Sequence, residues 1–348
     1  MCAALCMEVS AMGEMSNRKS EALVKTEHLS VRFPLKRESP FSKRRYVNAV
    51  SDVSIEIFKG EAFALVGESG CGKTTLADAT LGFAAPSAGE VFFNGEKLDI
   101  RNKKRLKQQR RSMQKIFQDP ASSMNPRFTV ARAVAEPLMI RRELGEKRIL
   151  SKTAEAIESV GLSSGDLDRF VSEFSGGQQQ RIAIARALVS GAEYIVCDEP
   201  VSALDVSVHA QILNLLMDIQ KERGITYMFI SHNLASVRKF ADRLAIMYLG
   251  RIVEYGDAEK VFANPMHPYT RMLIDSVLSL DGGKTAINAP PEANEALQEE
   301  QGLYASNDGG CGFRRRCPIG RSECESIKCS LEKVESDHYT ECPYAANR

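Results

Sequence analysis

One nonapeptide, GESGCGKTT at Gly67–Thr75, constrains this chain more than any other stretch. It follows an apolar run with strand character, Ala62–Val66, and it leads into a run with helix character, Leu76–Leu81. The predicted order is strand, glycine-rich loop and helix, which is the context in which G-x-x-x-x-G-K-[ST] binds phosphate. A glycine-rich turn with a chance lysine is the weaker explanation, because the spacing matches without a gap.

Each residue type in this loop has a physical reason to face a phosphate chain. Glycines let backbone N–H groups turn inward where side chains would obstruct the approach. Lys73 is expected to place its charge at the β and γ phosphates, and the Thr74 hydroxyl to bind Mg²⁺. We expect Cys71 to be an ordinary small residue rather than a redox switch. The residues predicted to bind the nucleotide are Gly67, Gly70, Cys71, Gly72, Lys73, Thr74 and Thr75.

Length and composition limit the class of protein. A chain of 348 residues can hold one large α/β domain plus an appendage. Its formal charge of +1 argues against binding of polyanions. The sequence contains no apolar stretch of about 18 residues that could span a membrane, and its N-terminus lacks the basic region of a signal peptide. We therefore expect a soluble intracellular chain, with residues 1–20 as an unstructured leader.

Two alternating segments before the loop predict strands, Leu23–Phe33 and Val53–Ile57, with a basic loop between them. Antiparallel strands in this position commonly cover the adenine of a nucleotide, where an aromatic ring can stack on the base. Phe33 and Tyr46 are the two candidates, and Phe33 is favoured. Plain packing of a strand-end aromatic is the alternative for each.

The segment after the loop contains a predicted hairpin with its turn at Asn94-Gly95. In Arg101–Arg111, seven of eleven residues are basic. A solvated helix face explains this run better than a nucleic-acid patch, because no aromatic residue is interleaved for base stacking. Apolar residues at helical spacing then indicate a helix-rich insertion at about 119–185.

A second loop-to-helix junction follows this insertion. Ser175, Gly176 and Gly177 precede a strongly helical run, Gln178–Leu188, so this helix N-terminus can also receive an anion. The two anion-binding helix starts are about a hundred residues apart. One phosphate chain cannot occupy both within one compact domain, so we expect two chains to meet head to tail and share the nucleotide.

A buried strand, Tyr194–Pro200, closes with two adjacent carboxylates. Asp198 is predicted to hold Mg²⁺, and Glu199 to polarise the attacking water as general base. Two exposed acids at a strand end are the weaker explanation. A further buried strand delivers His232 to the same sheet edge, where contact with the γ-phosphate is favoured over a structural role. These elements predict an α/β fold with a parallel, P-loop-type sheet.

Cysteine is concentrated at the C-terminus. Five of the nine cysteines lie after residue 310, beyond a predicted acidic linker at 281–310. Four of them form the pattern C-x5-C-x6-C-x17-C, which lacks the paired knuckles of zinc modules but suits iron–sulfur ligation. Zinc and free thiols remain alternatives. The candidate ligands are Cys311, Cys317, Cys324 and Cys342, and Cys329 could substitute for one of them.

The combined motifs resemble the ATP-binding cassette family. GESGCGKT, Gln118, FSGGQQQR, YIVCDEP, SALD and SHN occur in family order between about residues 23 and 280. QDPASSMNPRFTV, EPVSALDVSVHAQILNLL and HPYTRML are similar to the ATP-binding subunits of bacterial oligopeptide and dipeptide importers. The resemblance implies a P-loop NTPase with a RecA-like parallel sheet, an antiparallel β subdomain, a helical insertion and a small cysteine-rich segment at 311–348.

The resemblance also implies how ATP would be bound. It would lie between the Lys73 loop of one subunit and the signature of the facing subunit, with Phe33 beside the adenine. The signature residues are Ser175, Gly176, Gly177 and Gln178. Two residues depart from the family pattern: Phe174 stands where leucine is commonest, and Asn233 stands where aspartate usually follows the histidine.

Hydrolysis would involve a second set of residues. Gln118 would sense Mg²⁺ and the attacking water, and it would couple the helical insertion to the membrane partner. Asp205 would bridge the two sites across the dimer. His232 would steady the γ-phosphate while Glu199 activates water.

The implied partners are a paralogous ATP-binding subunit, two transmembrane permease subunits and an extracytoplasmic solute-binding protein. The chain would lie peripherally at the cytoplasmic face of the inner membrane. For the cysteine segment, a [4Fe-4S] cluster is the ligand implied by some family members. Import of another solute, such as nickel, and a non-transport cassette ATPase are the alternative functions, because solute choice belongs to the permease and the binding protein.

Overall fold

The computed structural model describes residues 22–35, 44–202, 204–278 and 310–345. The predicted leader at 1–20 and the predicted linker, apart from Gly310, lie outside these residues. The chain divides into two compact units, which are described separately below. Unit 1 includes Ile57–Glu61 and Asp99–Ile230, and unit 2 includes Val24–Glu56, Ala62–Leu98 and the chain from Ser231 onward.

The strands and helices are numbered in chain order. The described strands are β1 (Ala22–Pro34), β2 (Tyr46–Val53), β3 (Glu56–Phe58), β4 (Ala62–Val66), β5 (Ala88–Phe93), β6 (Glu96–Lys97), β7 (Met113–Ile116), β8 (Tyr194–Asp198), β9 (Thr226–Ser231), β10 (Arg243–Tyr248), β11 (Arg251–Asp257), β12 (Glu332–Glu335) and β13 (His338–Thr340). The described α-helices are α1 (Lys73–Thr80), α2 (Lys103–Gln109), α3 (Pro120–Ser123), α4 (Val130–Arg141), α5 (Glu146–Ser159), α6 (Gly176–Leu188), α7 (Val206–Arg223), α8 (Leu234–Phe240), α9 (Ala258–Ala263) and α10 (Pro268–Leu278).

Unit 1 contains a parallel sheet in which β8 lies between β7 and β9. Tyr194 of β8 pairs with Met113 of β7 and with Thr226 of β9. Every residue of β8 is buried, as expected for a continuous apolar strand of a parallel sheet. Because the carboxyl ends of parallel strands meet at one edge, the residues that follow β7 and β8 are brought together.

The predicted helical insertion of unit 1 is present. Helix α4 packs against α5 and α6, and α6 also contacts α7 and β7. The basic run at Arg101–Arg111 is helical over α2, which begins where the Asn102 side chain accepts a hydrogen bond from the Arg105 N–H at 3.1 Å. The structure thus confirms the helical interpretation of this run.

Unit 2 contains the predicted antiparallel sheet, with the strand order β2-β1-β5-β6. The predicted hairpin turn is confirmed, with Asn94 and Gly95 both at positive φ, 51° and 73°. The predicted basic loop is partly wrong, because Tyr46 already lies in β2, where it pairs with Pro34 of β1. The strand sequence, YVNAVSDV, carries little apolar alternation, so the pairing with the preceding strand β1 is not evident from the residues alone.

The other sheet of unit 2 carries the nucleotide-binding loop and reaches the C-terminal segment. Strand β4 pairs in parallel with β10, and β11 runs antiparallel to β10. Strand β13 pairs with β11, and β12 pairs with β13. No local pattern in the cysteine-rich segment predicts β12 and β13, because β11, on which they assemble, is distant in the chain. Among the described helices, none combines the length and apolar character required to cross a bilayer.

Candidate functional site

The glycine-rich loop joins β4 to α1 in unit 2, as the sequence predicts, although α1 begins at Lys73 rather than at Leu76. At two positions of the loop only glycine fits, because the backbone of another segment lies too close for a side chain. A Cβ on Gly67 would lie 2.2 Å from the Met247 carbonyl oxygen, and one on Gly72 would lie 2.0 Å from that of Ala49. Gly72 also has a φ of 107°, a backbone conformation that residues other than glycine rarely adopt.

Lys73 holds its ammonium group against the loop itself. Its Nζ donates to the carbonyl oxygens of Gly67 at 2.8 Å and Glu68 at 2.7 Å. The side chain is buried, whereas Thr74 is exposed at the first turn of the helix and Thr75 is half-buried. The structure therefore places one positive charge and one exposed hydroxyl at the predicted phosphate site.

Cys71 of the loop is buried, and burial raises the pKa of its thiol. A buried thiol with a raised pKa has little thiolate to react near neutral pH. Its environment accords with the expected role of an ordinary small residue. The Lys73 ammonium, 3.8 Å from the Cys71 sulfur, lowers the thiol pKa, but the effect of burial is larger.

Two residues that the sequence analysis missed hold Glu68, the second residue of the loop. Arg316 makes a bidentate ion pair with its carboxylate, with N···O distances of 2.8 and 2.9 Å. The Glu68 backbone N–H donates to the Tyr269 hydroxyl at 3.0 Å. The separation of 248 positions between Arg316 and Glu68 leaves no sequence pattern from which this contact could be found.

The two predicted acids of unit 1 are each held by a residue at the end of β7. Lys115 Nζ lies 3.0 Å from Asp198 Oδ2, and both side chains are largely buried. Gln118 Nε2 donates to Glu199 Oε2 at 2.9 Å. Gln118 and Glu199, both predicted to take part in hydrolysis, are therefore in contact within unit 1. Lys115 is an additional residue that no sequence motif indicated.

Glu199 has an unusual backbone, with a φ of 45°. A non-glycine residue in this region carries conformational strain, which persists where the surroundings enforce it and is common at active sites. Its N–H donates to the Ile230 carbonyl at 3.0 Å, and its own carbonyl accepts from the Ser202 hydroxyl at 3.0 Å. These bonds hold the backbone of Glu199, the residue that is predicted to act as general base.

The predicted signature forms the exposed N-terminus of α6 in unit 1. Ser175 precedes the helix, and Gln178 Oε1 accepts from both its N–H at 3.1 Å and its hydroxyl at 3.2 Å. Gln178 thus positions the serine of its own chain. A Cβ on Gly177 would lie 2.4 Å from Val208 Cγ1, so glycine allows α6 to approach α7, while Gly176 is exposed.

The remaining predicted residues lie at or near the ends of helices and strands. Asp205 is exposed immediately before α7, and His232 is exposed after β9. The departure at Asn233 has a local role, because its side chain accepts from the Ser236 N–H at 3.2 Å and caps α8. Phe33 lies on β1 with its side chain 48% exposed, and Tyr46 instead contacts the Arg32 guanidinium.

Three residues are predicted to bind Mg²⁺: Asp198 and Gln118 of unit 1 and Thr74 of unit 2. A carboxylate, an amide oxygen and a hydroxyl are hard oxygen donors of the kind that Mg²⁺ prefers, so the donor types suit this ion. Within unit 1, the buried Asp198 carboxylate is the charged member of the three, and it also lies 3.0 Å from Lys115 Nζ.

The four candidate cluster cysteines line one cavity of about 20 Å³ in unit 2, together with His267 and Phe313. Hydrogen bonding from the Cys329 thiol lowers the pKa of Cys311, and His267 contributes in the same direction. Within the described residues, no group of three or more His, Cys, Asp or Glu side chains is arranged to hold a metal ion. The cysteines therefore share one site without forming a coordination shell. The four are Cys311, Cys317, Cys324 and Cys342.

A buried ion pair anchors this segment to β11. Glu254 and His338 have fully buried side chains, with 2.7 Å between Glu254 Oε1 and His338 Nε2. Glu254 also accepts from the backbone N–H groups of Met266 and His267, each at 2.8 Å. The carboxylate thus joins β13 and the start of α10 to the same strand.

Comparison with known families and structures agrees with this architecture. A model described as ABC transporter matches residues 50–202, and one described as oligopeptide/dipeptide transporter, C-terminal region, matches residues 253–324. Among solved structures, cbiO1 of Clostridium perfringens, part of the ABC transporter complex cbiONQ, has a TM-score of 0.61 at 26% identity, and the match covers 80% of this chain and 100% of that chain. A dimeric cassette, MJ0796, bound to ADP and Pi, has a TM-score of 0.60 at 26% identity and covers 68% and 98%.

Two curated relatives align with nearly the whole chain. A probable D,D-dipeptide transport ATP-binding protein of Escherichia coli is 41% identical, over 93% of this chain and 98% of its own length. An oligopeptide transport ATP-binding protein of Haemophilus influenzae is 40% identical, over 94% and 98%. With the loop, the signature and the paired acids in place, the chain belongs to the ABC transporter family, among the ATP-binding proteins of the oligopeptide and dipeptide transporters.

Proposed function

We propose that this chain hydrolyses ATP to drive the import of oligopeptides or dipeptides. The observation that carries the proposal is the alignment, across 93% of the chain and including the C-terminal region, with a relative named for dipeptide transport. A cassette serving another solute, such as nickel, and a non-transport cassette ATPase are the competing functions. Whole-length similarity to proteins named for peptide transport favours the first of the three.

In this proposal, the loop of unit 2 binds the triphosphate. Lys73 supplies the charge for the phosphates, and the glycine backbone N–H groups supply donors at the N-terminus of α1. The exposed ring of Phe33 stacks on the adenine. Support comes from the buried Lys73 ammonium and from the clashes that any Cβ on Gly67 or Gly72 would cause.

The hydrolytic residues would act together. Glu199 accepts a proton from the attacking water, and Gln118 orients that carboxylate through its 2.9 Å hydrogen bond. His232 contacts the γ-phosphate. Mg²⁺, held by Asp198, Thr74 and Gln118, would neutralise charge on the phosphates. The paired geometry of Gln118 and Glu199 is the structural support for these roles.

A second ATP-binding subunit would complete the site. Its signature residues would face the γ-phosphate bound by this chain, and Asp205 would link the two sites across the dimer. The exposed position of Ser175 and Gly176 at a helix N-terminus supports this arrangement. We propose a paralogue as the partner subunit. The signature is formed by Ser175, Gly176, Gly177 and Gln178.

The helical insertion would dock on two permease subunits at the cytoplasmic face of the inner membrane, with a solute-binding protein on the opposite side. Large apolar side chains are exposed in unit 1 at 43–63% of their area, which is common where proteins associate. They lie beside Gln118 in sequence and within the insertion. These residues are Phe117, Met139, Ile140, Leu150 and Phe170.

We also propose that the cysteine cavity binds a [4Fe-4S] cluster. The cluster would have a structural role in that segment. Four thiols lining one cavity match the donor set of such a cluster. The cavity volume, about 20 Å³, is that of a water-sized group, so cluster binding requires the cysteine loops to move apart. Anaerobic purification with iron, sulfide and zinc analysis tests this proposal. Iron at four per chain supports it, whereas zinc or no metal contradicts it.

The transport function is tested in a reconstituted complex. Affinity purification of the tagged chain from membranes should recover two permease subunits and a second ATPase. Proteoliposomes containing that complex and its binding protein should import peptide when ATP is present on the side that carries the ATPases. Glu199→Gln should retain ATP binding and lose import. Uptake of nickel, or recovery without permeases, would support the competing functions instead.

A further inference from the structure

The cysteine-rich segment directly contacts the ATP-binding loop through one ion pair. The Arg316 guanidinium makes two parallel hydrogen bonds to the Glu68 carboxylate, Nη1 to Oε2 at 2.9 Å and Nη2 to Oε1 at 2.8 Å. The Arg316 side chain is 11% exposed and that of Glu68 is 29% exposed. A bidentate and largely water-excluded pair of this kind is specific in geometry as well as strong.

Arg316 is fixed by an aromatic cluster, which we define as Tyr248, Tyr269 and Phe313. Its guanidinium lies 5.7 Å from the ring centroid of Tyr248 and 5.8 Å from that of Phe313. The Phe313 ring packs against both tyrosines, at 5.3 and 5.4 Å between centroids. Phe313 also lines the cysteine cavity, so the cavity wall and the support of Arg316 share a side chain.

Glu68 in turn is connected to the lysine of the loop. Its carbonyl oxygen accepts from Lys73 Nζ at 2.7 Å, and its N–H donates to Tyr269 of the aromatic cluster at 3.0 Å. Both the backbone and the side chain of Glu68 are therefore held by residues from the C-terminal part of the chain. The pairing with Glu68 raises the pKa of Arg316, so the arginine remains fully charged.

We propose that Arg316 is a positioning residue for ATP binding, through which the cysteine-rich segment controls the nucleotide site. This inference rests on the proposed use of ATP at the Lys73 loop. A carboxylate within a triphosphate-binding loop repels the phosphates unless its charge is balanced. Arg316 balances the charge of Glu68 and holds the loop in the conformation that receives ATP. Disturbance of the cysteine segment would therefore weaken ATP binding at a distance from the phosphates.

The test is equilibrium binding of MgATP to the purified full-length chain. Arg316→Met should weaken binding about tenfold, the scale of one lost charged hydrogen-bond pair. Arg316→Lys, which restores the charge without the bidentate geometry, should give an intermediate affinity. Glu68→Gln combined with Arg316→Met should return to within about threefold of wild type, since no unbalanced carboxylate remains. Steady-state kinetics should show a raised KM for ATP and a retained kcat.

Arg315→Met is the matched control, because Arg315 is an exposed neighbour of the same charge. It should bind ATP as wild type does. Thermal unfolding of each variant separates loss of folding from loss of affinity. Unchanged affinity in Arg316→Met, or equal weakening in the double variant, would overturn the inference. Failure of the wild-type chain to bind ATP would instead overturn the proposed function.

Discussion

Gln118 donates a hydrogen bond from Nε2 to Oε2 of Glu199 at 2.9 Å. The two residues follow neighbouring parallel strands, β7 and β8, which bring residues distant in sequence to one sheet edge. Glu199 is further constrained by its left-handed backbone, with a φ of 45°. The proposed general base is therefore held both by a side-chain hydrogen bond and by a constrained backbone.

Replacement of Gln118 should affect turnover more than binding. We expect Gln118→Leu to lower kcat about tenfold or more, because the Glu199 carboxylate loses the bond that orients it, while the Kd for ATP changes little. Single-turnover hydrolysis and equilibrium ATP binding measure the two effects. Gln114→Leu, on β7 itself, is the control and should retain wild-type turnover. A normal kcat in Gln118→Leu would remove the orienting role.

Replacement of Glu199 should separate ATP binding from hydrolysis. Loss of a general base typically slows a reaction by about 10²–10⁴. Glu199→Gln preserves the shape of the side chain, so ATP should still bind, and turnover measured by phosphate release should fall by that factor. Wild-type turnover in this variant would show that another group activates the water.

Removal of Lys115 should destabilise unit 1. Lys115 and Asp198 form a 3.0 Å ion pair with side chains 6% and 12% exposed, so Lys115→Met removes the ammonium group beside a largely buried carboxylate. This loss of the positive charge beside a largely buried carboxylate should lower the free energy of unfolding by about 3 kcal/mol, whatever other hydrogen bonds Asp198 makes. Lys147→Met, at an exposed position, should change it by less than about 0.5 kcal/mol.

Chemical denaturation followed by circular dichroism measures these differences in stability. The double variant Lys115→Met with Asp198→Asn provides the decisive comparison. It should recover part of the loss, because the amide carries no charge that needs a partner. Equal stability of Lys115→Met and wild type would contradict the importance of this pair.

Substitution of Gly72 should abolish ATP binding. An alanine Cβ would lie 2.0 Å from the Ala49 carbonyl oxygen, so the loop must shift. Gly95→Ala is the matched control: its φ is 73°, but its Cβ would have nothing within 4 Å. The control should lose only about 1 kcal/mol of stability and bind ATP normally. Measurements of nucleotide binding and of thermal unfolding distinguish the effect of the clash from that of backbone strain. Normal ATP binding by Gly72→Ala would show that glycine is not required at this position.

Cys71 should be unreactive in the folded chain. Burial raises the pKa of its thiol from 9.0, so the thiolate fraction is small at neutral pH and increases only as the pH rises toward that pKa. Alkylation followed by mass spectrometry should label Cys71 slowly at pH 7 and rapidly after denaturation. Cys71→Ala should bind ATP as wild type does. A redox switch would instead be supported if Cys71 were labelled rapidly and if labelling inhibited ATP binding by the wild type but not by Cys71→Ala.

Much of the fold could be predicted because its signals are local. The run Ala62–Val66 forms β4 as predicted, and the turn at Asn94-Gly95 requires a backbone that those two residues readily adopt. Strands without such signals were missed. Strand β13, which contains Thr340, pairs with β11, which is distant in the chain. Strand β2, which contains Tyr46, pairs with the preceding strand β1, but its own sequence carries little apolar alternation.

Local motifs specify the chemistry of this protein: a lysine among glycines, a serine before a helix and two acids at the end of a buried strand. Each motif consists of residues a few positions apart, because loop conformation, helix starts and strand ends are local properties. The side chains that hold these motifs in place are brought to them by the fold. Gln118 reaches Glu199 because β7 and β8 are neighbours, and Arg316 reaches Glu68 across 248 positions because β13 pairs with β11 and Phe313 packs on Tyr248 and Tyr269. Such contacts depend on strand order and side-chain packing, which no local pattern encodes.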